Sequence, residues 1–352
     1  MKRLITGLVF IAIIVNLSGC NRDEIITAPV TVNTSKGAYV LSEGGFNPGT
    51  SKLSFYNMTK DSFYVSIFNP GSLGLSPDGM ILHNNNLYIT EQGNFGSAGK
   101  IYKTDTNGTV ISSADVGTNP YSLAIANNKI YITNGPANNV SVLDINSFAL
   151  LNTVSVGLYP QEIISIGNKV FVCNTSVFNG PYDSTVSVID ASSDQLVSSI
   201  IVRKTPSALG VTTDGKLLVG CPGNSSAAAI FKIDPNTYNK LDSFTNLSYG
   251  FCKDISVMSS DRICYIAGSA YAEAGIVTYN MSSRVSALTI DQPSTGLNYS
   301  LAYDAESASI YVGFVPGFNV SGKLRIYNSG GVIQKEYTIT NAIAPRRIVI
   351  KK

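Results

Sequence analysis

Along most of this chain, short runs of apolar and β-branched residues alternate with clusters of Asn, Gly and Pro. That is the pattern of strands separated by turns. The stretch 129–168 shows it best: KIYIT, NVSVLD, LNTVSV and QEIISI read as four strands joined by loop, turn and loop. Aligning the first of these runs finds seven copies, centred on Tyr39 (GAYVL), Tyr88 (NLYIT), Tyr131 (KIYIT), Phe171 (KVFVC), Leu218 (KLLVG), Cys264 (RICYI) and Tyr311 (SIYVG). Their spacing runs from 40 residues (Tyr131 to Phe171) to 49 (Tyr39 to Tyr88). A repeat of that length carrying four strands is one blade of a propeller. The pattern therefore predicts an all-β fold, a seven-bladed β-propeller with four antiparallel strands per blade.

A second strand comes after each copy (KLSFYN, KIYKTD, NVSVLD, TVSVID, AIFKID, GIVTYN, KLRIYN), and a third after that, as in ISSADV, LVSSII, SALTI and EYTI. The remaining strand precedes the copy, as in MILHN, SLAIA and EIISI. GAYVL lacks such a predecessor, whereas the chain ends on an unaccompanied RRIVI at 346–350. The expected ring is closed by the C-terminal strand joining the blade begun by residues 38–68, which leaves no orphan edge. Tight turns such as Asn127-Asn128, Asp214-Gly215 and Asn146-Ser147 all fall on one face of the disc, where short hairpins favour these residues. The longer loops land on the opposite face.

Those longer loops carry Phe46, Phe95, Tyr121, Tyr159, Phe178, Tyr182, Tyr249, Phe251, Tyr271, Tyr299 and Phe318 among Gly, Asn and Ser. Rigid aromatic plates beside adaptable polar neighbours make a recognition surface. Roughly half of these rings are expected to pack between blades or plug the axis, as large aromatic side chains do. Apart from Phe251, they are the candidate ligand-binding residues. The polar groups of this face read as amides and hydroxyls, with Glu43, Glu91, Glu162, Asp183 and Glu273 as scattered carboxylates. Such a surface suits a large, weakly charged ligand.

The N-terminus changes the setting. Lys2 and Arg3, an apolar run over 4–15, and Leu17-Ser18-Gly19-Cys20 have the plan of an export signal. The apolar run falls short of the roughly 20 residues of a spanning helix. L-S-G-C resembles the bacterial lipobox, which makes residues 1–19 a lipoprotein signal peptide and Cys20 the lipidation site. Residues 20–36 are then a polar tether and 37–352 the propeller. Acidic residues just after Cys20 resemble the surface-export signal of Bacteroidota lipoproteins. Several acyl chains, at about 0.8 kcal/mol per buried methylene, would anchor the protein permanently.

Composition narrows the chemistry. Twenty-five basic and 23 acidic side chains, with no dense basic run after Arg3, offer no footprint for nucleic acid. The single histidine, His83, sits at the turn side of an inner strand, so no Ser-His-Asp group or His-based zinc site can form on the loop face. No catalytic residue, metal ligand or cofactor is assigned, and no shared carboxylate spacing is found, which leaves a calcium site open. Beyond Cys20, Cys173, Cys221, Cys252 and Cys264 show no C-x-x-C spacing and read as small buried thiols.

The repeat K-I-Y-I-T-N…N-N-V-S-V-L-D…V-G-x-x-P resembles the YVTN-type β-propeller family over roughly residues 37–350. The opening G-A-Y-V-L-S-E-G-G-F…S-K-L-S-F-Y-N is similar to Bacteroidota propeller lipoproteins, with Ser42-Glu43-Gly44 where those typically carry Asn-Glu-Gly. That group includes surface lipoproteins that capture cobalamin for a TonB-dependent outer-membrane transporter. The resemblance implies a non-enzymatic, lipid-anchored protein of the outer membrane, cell-surface or periplasmic in face, which captures a corrinoid (vitamin B12). An envelope scaffold binding a protein or glycan is the alternative, and a lactonase-type hydrolase the third.

Overall fold

The computed structural model describes residues 36–352 apart from 46–48, 70, 72, 178–179, 224–226 and 270–271. The export signal, Cys20, Phe46, Phe178 and Tyr271 lie outside the described residues. Among the described residues, twenty-eight strands form seven four-stranded antiparallel sheets. Blade one takes its three N-terminal strands, Gly37–Ser42, Lys52–Asn57 and Ser62–Tyr64, together with the closing strand Pro345–Lys351. Blades two to seven come in chain order over 77–118, 120–155, 160–201, 208–244, 253–291 and 297–338. The expected closure is therefore present: Ala38 pairs with Ile350, Tyr39 with Val349 and Val40 with Ile348.

Each blade buries both faces of its second strand, so the KIYIT-type run reads as continuously apolar rather than alternating. In Lys129–Asn134, Ile130 and Ile132 pack against blade two, and Tyr131 packs against blade four. Among the described residues seven hydrophobic clusters result, one in each gap between neighbouring blades, including the gap between blade seven and blade one. Cys173 and Cys221 are buried thiols in the cluster between blades four and five.

The polar letters of the repeat have jobs of their own. The Tyr131 hydroxyl donates to Asp194 Oδ1 of the next blade at 2.5 Å, and the Tyr39 hydroxyl donates to the Thr106 carbonyl at 2.9 Å. Asp144, Asp190 and Asp234, near the ends of their strands, accept from the backbone N–H groups of the adjoining turns. These turns lie on the face opposite the long loops, where His83 also sits, its Nε2 3.0 Å from the Asn84 side-chain nitrogen.

Removing residues 344–352 should abolish cooperative unfolding. The deletion strips the innermost strand of blade one and opens both gaps beside it. A thermal melt followed by circular dichroism decides: a truncated chain that melts like the full one would refute the closure.

Candidate ligand-binding site

Every blade begins on the loop-rich face with the same device. A residue in the left-handed region precedes the innermost strand: Ser76 (φ 52°), Asn119 (46°), Tyr159 (47°), Thr205 (54°), Gly250 (66°), Gly296 (84°) and Ala344 (54°). In five blades the next residue is Pro, and in the other two the left-handed residue is itself Gly. Pro fixes its own φ and supplies no N–H, so the chain enters the sheet at a set angle. Non-glycine residues held this way cost of order 1–3 kcal/mol each, and such strain gathers where geometry serves function.

A bulge comes immediately afterwards. In six of the seven innermost strands, one extra residue faces the second strand just past this point, at 77–80, 120–123, 160–163, 253–255, 298–300 and 345–347. A bulge breaks the alternation and re-aims side chains. Here it sends Asp78, Tyr121, Glu162, Asp254 and Arg346 toward one another at the axis, as the contacts of Arg346 with the other four demonstrate, and Tyr299 toward Lys253 and Glu43 beside them. In blades two to four the Thr of the repeat braces the bulges. Thr133 Oγ1 accepts from Ser122 N at 3.0 Å and donates to the Gln161 carbonyl of the next blade at 2.7 Å. Thr90 does the same between Gly79 N and the Tyr121 carbonyl. The glycine of V-G-x-x-P is a packing requirement: a Cβ on Gly117 would lie 2.1 Å from Asn134 Oδ1.

The axial mouth holds an ionic cluster. Arg347 grips Glu162 in a fork, with Nη1 donating to Oε2 at 3.0 Å and Nη2 to Oε1 at 2.7 Å, and Nη2 also reaches Asp78 Oδ1 at 3.1 Å. Arg346 donates to Glu162 Oε1 and to the Tyr121 hydroxyl, both at 3.1 Å, and its Nη1 lies 3.8 Å from Asp254 Oδ1. Blade one is thereby tied to blades two, three, four and six. Burial pushes the Glu162 carboxyl up, but Arg347 and Arg346 outweigh it and hold the group below its usual range. For the fully buried Asp78, burial wins over both arginines and the carboxyl is raised.

Beside this cluster, the Lys253 ammonium stands 3.7 Å above the Tyr299 ring, and the Tyr299 hydroxyl donates to Glu43 Oε1 at 2.6 Å. Burial, followed by repulsion from Arg346, lowers Lys253 to about 8. Burial and then Asp78 raise the Glu43 carboxyl. Two cavities meet here, sharing Asp254 and Arg346 in their walls. The inner one, about 110 Å³, lies over Arg347 and Ile348. The outer one, about 240 Å³, is walled by Gln161, Thr175, Ser207, Lys253 and others.

The sequence-read aromatics divide. Tyr121 and Tyr299 join the axial cluster, and Phe318 meets Tyr299 edge-on at 5.7 Å between ring centres. Tyr159 is half-buried, its ring facing Gly135. Phe251 is fully buried between blades five and six. Phe95 (83% exposed), Phe318 (52%), Tyr182 (44%) and Tyr249 (38%) face solvent. Among the described residues, Phe95, Tyr182 and Tyr249 form no ring pair with one another.

The loop carboxylates are not scattered acceptors. Glu91 accepts from the Tyr102 hydroxyl at 2.7 Å, Asp183 from Leu158 N at 2.8 Å, and Glu273 from Asn298 N at 2.8 Å. Asp78, Ser207, Lys253, Asp254, Arg346 and Arg347 went unread as site residues. Their signal is positional, since Asp78, Ser207 and Arg346 each stand directly after the Pro that opens a blade.

Glu162→Gln should destabilise the fold by about 3–5 kcal/mol, because it leaves buried guanidinium charge poorly paired. A carboxyl whose folded pKa is depressed contributes stability above its unfolded value, and that stability is lost as pH falls through the folded one. Urea titrations at stepped pH should therefore show the unsubstituted chain losing stability more steeply below the ordinary glutamate range than the variant does. Parallel acid profiles would refute the role given to Glu162.

Comparison with solved structures agrees with this architecture. A quinonprotein alcohol dehydrogenase-like protein from Bacteroides thetaiotaomicron superposes with a TM-score of 0.69 at 17% identity, covering 90% of this chain and 78% of its own. A protein carrying the name 6-phosphogluconolactonase from Bacteroides fragilis gives 0.68 at 10% identity, over 92% and 100%. A protein from Sulfolobus tokodaii, named selenium-binding, gives 0.65 at 13%, over 90% and 93%. At these identities the likeness concerns the fold alone. No curated protein matches the sequence significantly. Residues 36–333, most of the propeller, match the family described as a domain of unknown function, DUF5074, and the chain belongs to that family.

Proposed function

We propose that this chain is a non-enzymatic, lipid-anchored binding protein of the outer membrane. In this reading its loop-rich face captures a corrinoid for a TonB-dependent transporter. One observation carries the capture reading: the loop face exposes Phe95, Tyr182, Tyr249 and Phe318, the last beside the polar axial mouth. Rigid rings offer contact area at low entropic cost, with about 0.5–1.5 kcal/mol per well-placed aromatic contact beyond burial. The loop carboxylates Glu43, Glu91, Glu162, Asp183 and Glu273 each accept a hydrogen bond from a structural donor. A corrinoid is wide and amide-fringed, so it would lie across the rings while the mouth, about 240 Å³, takes only a side group.

Equilibrium dialysis of the full chain in detergent against cyanocobalamin, read by visible absorbance, tests the ligand. Saturable binding at micromolar concentration is expected, weakened about tenfold when Phe95→Ala and Phe318→Ala are combined. Absence of binding at that concentration overturns the corrinoid, and metal-dependent lactone hydrolysis by the same preparation would replace capture with catalysis. For the anchor, Cys20→Ala should shift the protein from the membrane fraction to the soluble one, and unchanged fractionation would refute lipidation.

A further inference from the structure

Arg346 and Ser207, two residues of the outer cavity's wall, each carry a buried polar atom without a hydrogen-bond partner: Nη1 and Oγ. The Arg346 side chain is only 8% exposed. A buried donor without an acceptor costs about 1–3 kcal/mol, and more when it is charged. Lys253 lines the same cavity, and among the described residues its ammonium forms no hydrogen bond or ion pair, resting instead on the Tyr299 ring. Three donor-bearing residues from three blades thus line one cavity, and its carboxylate, Asp254, stands 3.8 Å from Arg346 Nη1, beyond hydrogen-bond reach.

We propose that this cavity is an oxyanion subsite, where Lys253, Arg346 and Ser207 receive a carboxylate or phosphate group of a ligand. The proposal rests on the reading that the loop face captures ligands, and it names the chemical group taken at the axis. An oxyanion supplies acceptor lone pairs in several directions, which one guanidinium edge, one ammonium and one hydroxyl can share. Asp78 and Glu162 occupy Arg347 and the other edges of Arg346. Only the Nη1 side remains, with Asp254 at 3.8 Å as a loose counter-charge. The threonines and serines around it, Thr175, Ser176 and Thr205, are hydroxyl-bearing walls of a size that suits a small acidic group.

Binding should track the charge on Lys253, which faces Arg346, Asp254, Cys252, Glu43 and, more distantly, Glu273. The ammonium titrates at about 8 in the free protein. Affinity for succinate, whose two carboxylates stay ionised near neutral pH, should therefore be nearly constant just below that value and roughly tenfold weaker one unit above it, with a proton taken up on binding near pH 8.

The test is calorimetric titration of the full chain in detergent with inorganic phosphate and, separately, with succinate, at fixed ionic strength against a chloride control. Saturable binding by either anion, lost at least tenfold in Lys253→Met and weakened in Ser207→Ala, with the stated pH dependence for succinate, establishes the subsite. The anion that binds more tightly identifies the group. Binding no stronger than chloride, or Lys253→Met binding like the unsubstituted chain, overturns it. Ser207→Ala removes one hydroxyl and keeps the proposal testable should Lys253→Met fail to fold. The outcome is separable from corrinoid capture: anion binding without cyanocobalamin binding upholds the subsite and rejects that cargo, and the reverse rejects the subsite alone.

Discussion

The last strand of the chain, Pro345–Lys351, supplies the innermost strand of blade one, and without it two of the seven apolar gaps lose a wall. The same strand carries Arg346 and Arg347 to the axis, where they meet carboxylates from blades two, four and six. Closure is therefore made twice, by a backbone ladder within blade one and by charge across the centre. Apolar gaps of similar composition tolerate many arrangements of similar blades. A forked Arg347–Glu162 pair is satisfied in only one.

The turn that opens each blade converts repetition into chemistry. A left-handed residue, then Pro or its equivalent, then a bulge recurs around the mouth in blades of different sequence. The backbone device is shared between blades, and the residues just after it differ: Asp78, Tyr121, Gln161 with Glu162, Ser207, Lys253 with Asp254, Tyr299, Arg346 with Arg347. The Thr90 and Thr133 bridges hold the bulges of blades two, three and four against one another, so there the aim of one blade's side chain is fixed with the help of the next blade.

Blade number, strand order, closure and the sidedness of turns and loops were legible in the sequence, because each rests on a period or a turn residue that recurs around the ring. The axial cluster was not, for a physical reason. Arg346 and Arg347 read as the start of a closing strand, and Asp78 falls before the expected MILHN strand, since a bulge is invisible to an alternation that it breaks. Reading loops for aromatic rings found Tyr121 and Tyr299 at the axis, where they serve as a partner for Arg346 and a platform for Lys253. Phe251, a loop aromatic left out of the candidate binding residues, is received between blades by a Cβ-less Gly220.

Charge balance at the mouth explains why its unpaired donors sit where they do. Glu43 has its carboxyl raised by burial and by Asp78, so it neutralises Lys253 weakly, while the arginines consume Asp78 and Glu162. Asp254, held at φ 51° on its bulge, is left as the counter-charge to Arg346 Nη1, yet at 3.8 Å it is too far for a strong hydrogen bond. A low-dielectric axis makes each such imbalance costly. The cross-axis pairs that hold the ring closed thus also fix Arg346 in the wall shared by both cavities, and the stability of the propeller and the shape of its mouth draw on the same side chain.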